Sequence, residues 1–202
     1  MLLNIIHPYT YKQLDDTLHL GPVPEYAQRD LGVAALVTAV LNLGEKVIWH
    51  RFNSGSTFKM MLEDSALSLD PLYNFMFDDR IKTVVTTPFG TPRPDIKPAN
   101  IPEQAWKIIE RTYTSDSELR DLHHAADPIL FIGGFLECCL TNIACHVHDK
   151  YTKENKPPQR LFYIPELCVS GNQDQLEKVT LPQFKKRDIQ ALSMDQARLL
   201  LQ

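Results

Sequence analysis

Strand-length apolar runs that do not alternate with polar residues, set on either side of a helix, leave a chain few folds to choose from. Leu2 to Ile6 (LLNII) is one such run, stopped by Pro8. Its length and lack of a polar face suit a strand buried on both sides. Residues 30–43 (DLGVAALVTAVLNL) are apolar almost all round, rich in Ala and free of Pro. They read as a largely buried helix, with Asp30 as N-cap and Gly44 as the stop. Residues 46–52 (KVIWHRF) follow at once as a strand. Strand, helix, strand in that order is a βαβ unit, which requires parallel pairing and a right-handed crossover.

The pattern recurs later in the chain. Ser115 or Ser117 caps a helix running to about Ala126, with Leu119, Leu122 and Ala126 on one face. Pro128 opens a strand over residues 129–132, Gly133 and Gly134 make a tight turn, and a helix follows over about residues 137–151. Residues 160–164 (RLFYI) form the next strand, 188–192 a short one, and Ser193 caps a last helix. The middle is less regular. Residues 56–69 read as a helix with Met60, Met61 and Leu62 inward. Residues 81–87 (IKTVVTT) and 106–112 (WKIIERT) are both strand candidates, and the sequence does not say which enters the main sheet. Four prolines between Pro88 and Pro98 mark a long loop running to Pro102, suited to an active-site lid or an interface arm. The whole predicts a single domain over residues 1–202, an α/β, three-layer, Rossmann-like fold around a mostly parallel central sheet.

Composition narrows the function. With 21 Lys+Arg against 25 Asp+Glu, the chain carries a formal charge of −4. Nucleic acid and anionic membrane partners are therefore not expected, because both call for a basic face. The Lys185–Arg187 cluster is too short to supply one. No apolar run approaches the roughly 20 residues of a membrane span, and the N-terminal residues lack the basic leader of a signal peptide. Of the four cysteines, Cys138, Cys139 and Cys145 crowd together and Cys168 stands apart. That spacing suits reduced thiols in a cytoplasmic setting better than a disulfide framework.

Chemistry concentrates in ILFIGGFLECCLTNIACHVHDKY (residues 129–151). In open α/β sheets ligands bind beyond the carboxyl ends of strands, and this turn lies at such an end. A cysteine in the first turn of the following helix meets unpaired N–H groups that favour a thiolate and can hold an oxyanion. Cys138 and Cys139 both fall there, and either can equally be a small packing residue.

This segment, with IPELCVS (residues 164–170), resembles the carboxyl half of the isochorismatase-like cysteine hydrolases. Gly133 and Cys139 have the family's spacing between glycine and nucleophile. SELRDLHHA is similar to its S/T-x-L-x-x-L helix, DIQALSMDQARLLL to its closing strand and helix, and LLNII with VAALVTAVLNLGEKVIWHR to its first βαβ unit. The resemblance implies hydrolysis of a small amide, imide or ester-like substrate through a thioester on Cys139, without an organic cofactor. It implies a turn at Gly134, Phe135 and Cys138 that aims N–H groups at the substrate, with a cis peptide at Gly134–Phe135. It also implies a homo-oligomer.

The family triad is Asp, Lys and Cys, and only the cysteine carries over. His7 stands where the Asp belongs, and Arg111 (in IIERTY) is the nearest match to the Lys. An imidazole can take a thiol proton, whereas an Arg can only stabilise an anion. His7 therefore reads either as a base in a rebuilt Cys–His pair or as a strand-end histidine bonded to backbone. The same departures support a second function class: a catalytically inactive member of the fold kept as a binding or scaffolding protein. Related nicotinamidases bind a metal through Asp-x-His. Here His50 has no Asp at that spacing, His146 and His148 point to different sides of one helix, and no metal is expected. Cys145 and His148 could share a face, and His123 and His124 read as helix-surface residues.

Overall fold

The protein is described by a computed structural model, which covers residues 1–7, 24–52, 71–72, 74–75, 78–86, 103, 107 and 110–202. Six parallel strands form one sheet: β1 (Leu2–Ile6), β2 (Lys46–Phe52), β3 (Ile81–Thr86), β4 (Ile129–Phe135), β5 (Leu161–Val169) and β6 (Ile189–Ala191). Their spatial order is β3-β2-β1-β4-β5-β6. The chain thus winds outward from β1 in one direction, then restarts at β4 and winds outward in the other. The seam between β1 and β4 is the topological switch point, where doubly wound sheets open a crevice at the strand carboxyl ends.

Helices cover both faces. On one side lie α1 (Pro24–Asn42) and α5 (Met194–Leu199), packed through Val33, Val37, Val40 and Ala197 onto Leu3, Ile5 and Ile132. On the other lie α2 (Asp116–Ala125), α3 (Thr141–Val147) and α4 (Leu181–Lys186), packed onto Leu2, Ile6, Ile48 and Phe131. All five residues of β1 are buried, as a strand covered on two faces requires. The three-layer α/β expectation therefore holds.

Several boundaries moved for physical reasons. The helix α1 begins before Asp30, which is not a cap but a buried carboxylate inside the helix, paired with Arg29. Gly44, at φ 73°, does end the element. Of the two middle candidates, residues 81–86 enter the sheet, with Val47 opposite Ile81 and Phe52 opposite Thr86. The 106–112 candidate contributes no named strand among the described residues; only Tyr113, just beyond it, forms an isolated bridge, to Thr83. The expected helix at 56–69 and the loop at 88–102 lie outside the described residues. The helix after β4 is continuous in sense but not in pitch: wide, five-residue turns at Leu136–Leu140 and His148–Thr152 flank α3. Ser115 and Ser193 cap α2 and α5 as read from the sequence, the latter with Gln196 completing a capping box.

Candidate active site

The double glycine sets the site geometry. Ile6 lies opposite Gly133 in the β1–β4 ladder. Gly133 has φ 107°, and a Cβ there would run into the Ile6 carbonyl oxygen. At Gly134 a Cβ would sit 2.9 Å from the same oxygen and 3.3 Å from His7 Cβ. Bare backbone at both positions is therefore what lets the end of β4 press against the end of β1. Side chains there would wedge the seam apart.

His7 is the first residue past β1 and is buried, at 3% exposure. Its φ of 40° is left-handed, an uncommon setting for a residue with a Cβ, although histidine is among the more tolerant. Its N–H donates to the His50 carbonyl at 3.0 Å, and its Nε2 meets Thr86 Oγ1 at the carboxyl end of β3. Burial pulls the imidazole down to about 4, so the ring is neutral at physiological pH.

Cys139 is the fourth residue of the wide turn that opens the helix. A nucleophile at this turn should be partly exposed; the structure shows 5% exposure, packed with Leu136, Leu140 and Ile143. The cause is that β4 runs on to Phe135, past the glycines, so the helix starts late and its first turn faces the core. Burial pushes the thiol up to about 12, and interaction with the neighbouring Cys138 thiol and the Glu137 side chain pushes the same way. That is opposite to the activation expected of a helix N-terminal cysteine. Cys138 beside it is partly exposed. The expected cis bond at Gly134–Phe135 is also corrected: the cis bonds among the described residues are Asp127–Pro128 and Lys156–Pro157. No disulfide links the cysteines.

Arg111 is exposed, in the turn leading to Thr112. Thr83 bonds to both sides of Tyr113, through Thr112 O at 2.7 Å and Thr114 N at 2.9 Å. Arg111 therefore lies level with the amino end of β3. Thr83 and Thr86 are already separated by about 10 Å of strand. The residue that does face His7 from the third strand is Thr86. Sequence reasoning missed it because it left open which of 81–87 and 106–112 enters the sheet and found its nearest match to the family Lys at Arg111; the threonine pair in IKTVVTT was the available signal.

A second polar group lies deeper, on the α2–α3 side of the sheet. Asn4, His50 and His123 are each fully buried. The Asn4 side-chain amide sits 2.9 Å from His50 Nε2 and 3.2 Å from His123 Nε2. His123 Nδ1 donates to the Leu119 carbonyl at 2.7 Å. Asn4 turns Oδ1 to both rings, so His50 Nε2–H donates to it, while the neutral His123 ring, its hydrogen given to Leu119, makes a close polar contact there. Burial lowers His50 well below its ordinary range and His123 to about 4. His123 is thus a core residue and not a surface one. Its ring stacks on Tyr151, which His146 meets edge-on. With His50 held by Asn4 and Ile48 standing where Asp-x-His needs its acid, the nicotinamidase type of metal site does not fit. Among the described residues no three His, Cys, Asp or Glu side chains converge on one point. Glu137 is also buried, and its Oε1 accepts from the N–H groups of Gly171 (2.6 Å) and Asn172 (2.8 Å), tying down the loop after β5.

No family model and no curated protein matches the chain. Solved structures do. A nicotinamidase from Staphylococcus aureus superposes with a TM-score of 0.55 at 14% identity, covering 95% of this chain and 98% of that one. A pyrazinamidase/nicotinamidase from Streptococcus mutans gives 0.58 at 12%, covering 95% and 99%. N-carbamoylsarcosine amidase from Thermoplasma acidophilum gives 0.56 at 8%, covering 96% of each. At such identities the likeness is one of fold: this chain has the isochorismatase-like α/β fold that these amidases share. No helix among the described residues is long and apolar enough to cross a membrane.

Proposed function

We propose that the protein is a hydrolase of small amides, imides or ester-like compounds, with Cys139 as nucleophile and His7 as its base. The observation that carries this reading is the seam itself: Ile6 opposite Gly133, so that His7 and the segment leading to Cys139 leave the sheet side by side at its switch point. In the reaction, His7 takes the thiol proton as the sulfur attacks the carbonyl carbon. The C–N bond then breaks, the leaving amine takes that proton from His7, and an acyl thioester remains on Cys139. Water, deprotonated by His7, attacks the thioester, releasing the acid and restoring the thiol. Gly134, Phe135 and Cys138 supply the backbone N–H groups for the oxyanion. The amidases of like fold support the substrate class. Arg111, exposed and level with the amino end of β3, has no part in this scheme.

The resting pair is not ionised. With the thiol near 12 and the imidazole near 4, full transfer before attack costs about 11 kcal/mol, less their mutual attraction. A turnover of roughly 10 per second allows a total barrier of about 16 kcal/mol. Transfer concerted with attack avoids populating that ion pair. The same burial favours a second reading, a small-molecule binding protein of this fold that does no thiol chemistry.

The test incubates the protein and Cys139→Ser with nicotinamide, pyrazinamide, an N-carbamoyl amine and a cyclic imide. Product acid is followed by chromatography and the intact protein by mass spectrometry. Turnover lost in Cys139→Ser, with an acyl adduct on Cys139, is the expected result. Saturable binding without turnover or adduct would replace the hydrolase by the binding protein.

A further inference from the structure

Hydrogen-bond accounting at the ends of β1, β2 and β3 fixes where the His7 proton sits. Thr86 Oγ1 has two partners, the Arg51 carbonyl oxygen at 3.2 Å and His7 Nε2. A hydroxyl has one hydrogen and two lone pairs, and a carbonyl oxygen can only accept. The hydroxyl hydrogen is therefore committed to Arg51, and Thr86 turns a lone pair toward His7. A bare ring nitrogen there would set lone pair against lone pair inside a buried site, where nothing relieves it. Nε2 must be the protonated nitrogen.

We infer that Thr86 is a positioning residue that holds His7 as its Nε2–H tautomer, leaving Nδ1 as the nitrogen that receives a proton. Its use in catalysis rests on the hydrolase reading, but the tautomer is a property of the resting protein. The arrangement repeats, with a hydroxyl and a carbonyl, what a carboxylate does for a catalytic histidine: the group behind the ring decides which face is basic. The backbone adds to the constraint. The N–H of His7 is tied to His50 O, and Gly134 lies against its Cβ, which fixes where the ring leaves the chain. Neutrality of the ring at physiological pH leaves it one hydrogen to place, which is what makes the choice of nitrogen decisive.

The experiment reads the tautomer directly. Protein labelled with 15N-histidine is examined at pH 7.5, without substrate, by long-range 1H–15N correlation, the His7 signals being identified by their absence from His7→Gln. In the wild-type protein the expected pattern has a protonated, pyrrole-type Nε2 and a bare, pyridine-type Nδ1. Thr86→Ser keeps the hydroxyl and keeps the pattern. Thr86→Val is similar in size but offers no acceptor, so the two nitrogen signals move toward each other as the tautomers mix. A wild-type spectrum with hydrogen on Nδ1 overturns the inference, as does a Thr86→Val spectrum unchanged from wild type. Should Thr86→Val fail to fold, the wild-type and Thr86→Ser spectra still decide. The amide panel bears on the hydrolase reading alone: absence of turnover with the Nε2–H pattern intact removes the hydrolase and leaves this assignment standing.

Discussion

Acid is the perturbation to which this core is most exposed. His7 and His123 are buried and neutral, each near 4 against about 6.5 in the unfolded chain. Between those values the unfolded state binds protons that the folded state refuses, so stability rises with pH across the window and is lost as pH falls through it. Each group spans about 2.5 pH units, or about 3 kcal/mol. Together they remove about 5 kcal/mol between pH 6.5 and pH 4. His50, fully buried and lowered well below its ordinary value, adds to the loss in the same direction. Domains of this kind are stable by only about 5–15 kcal/mol. The expectation is cooperative unfolding before pH 4, with most of the loss between pH 6 and pH 4.5. Paired carboxylates act in a lower window: Asp149, held near 2 by Arg187, gives up its contribution only as pH falls below about 4. Urea unfolding followed by circular dichroism at half-unit intervals measures the slope. A midpoint unchanged within 1 kcal/mol from pH 7 to pH 4.5 would refute the reasoning, since it would mean these imidazoles are solvated or already charged when folded.

Two further outcomes test the packing around the site. Gly133→Ala should cost about 3–5 kcal/mol by urea unfolding, because its Cβ meets the Ile6 backbone and its φ of 107° is unfavourable for any side chain; a cost under 1 kcal/mol would mean that the β1–β4 seam can open. Glu137→Ala should cost about 2–3 kcal/mol and raise amide exchange at Gly171 and Asn172, while Glu137→Gln, which keeps an acceptor oxygen, should recover most of both.

Local pattern carried the architecture. The unbroken run in Leu2–Ile6, the near-uniform apolarity of α1 and the caps at Ser115 and Ser193 are short-range signals, and the strand, helix and cap each lie where those residues require. The three-layer α/β architecture was legible for the same reason, since a βαβ alternation with buried strands admits few arrangements, while its isochorismatase-like form was legible only through the resemblance around Gly133 and Cys139. What the sequence could not decide depends on partners far along the chain. Residues 81–87 and 106–112 have the same β-branched character, and pairing with β2 alone selected the first. His123 lies on a helix that reads as amphipathic, yet in the fold it is fully buried against Asn4, 119 residues away. Cys139 keeps its family spacing from Gly133, but the depth to which β4 extends before the helix starts decides that its thiol is buried. Thr86 became visible only when β3 and β1 were both in place, because a hydroxyl next to an imidazole is a fact of tertiary contact. Periodicity is written in neighbouring residues; burial and protonation are set by whatever the fold brings against them.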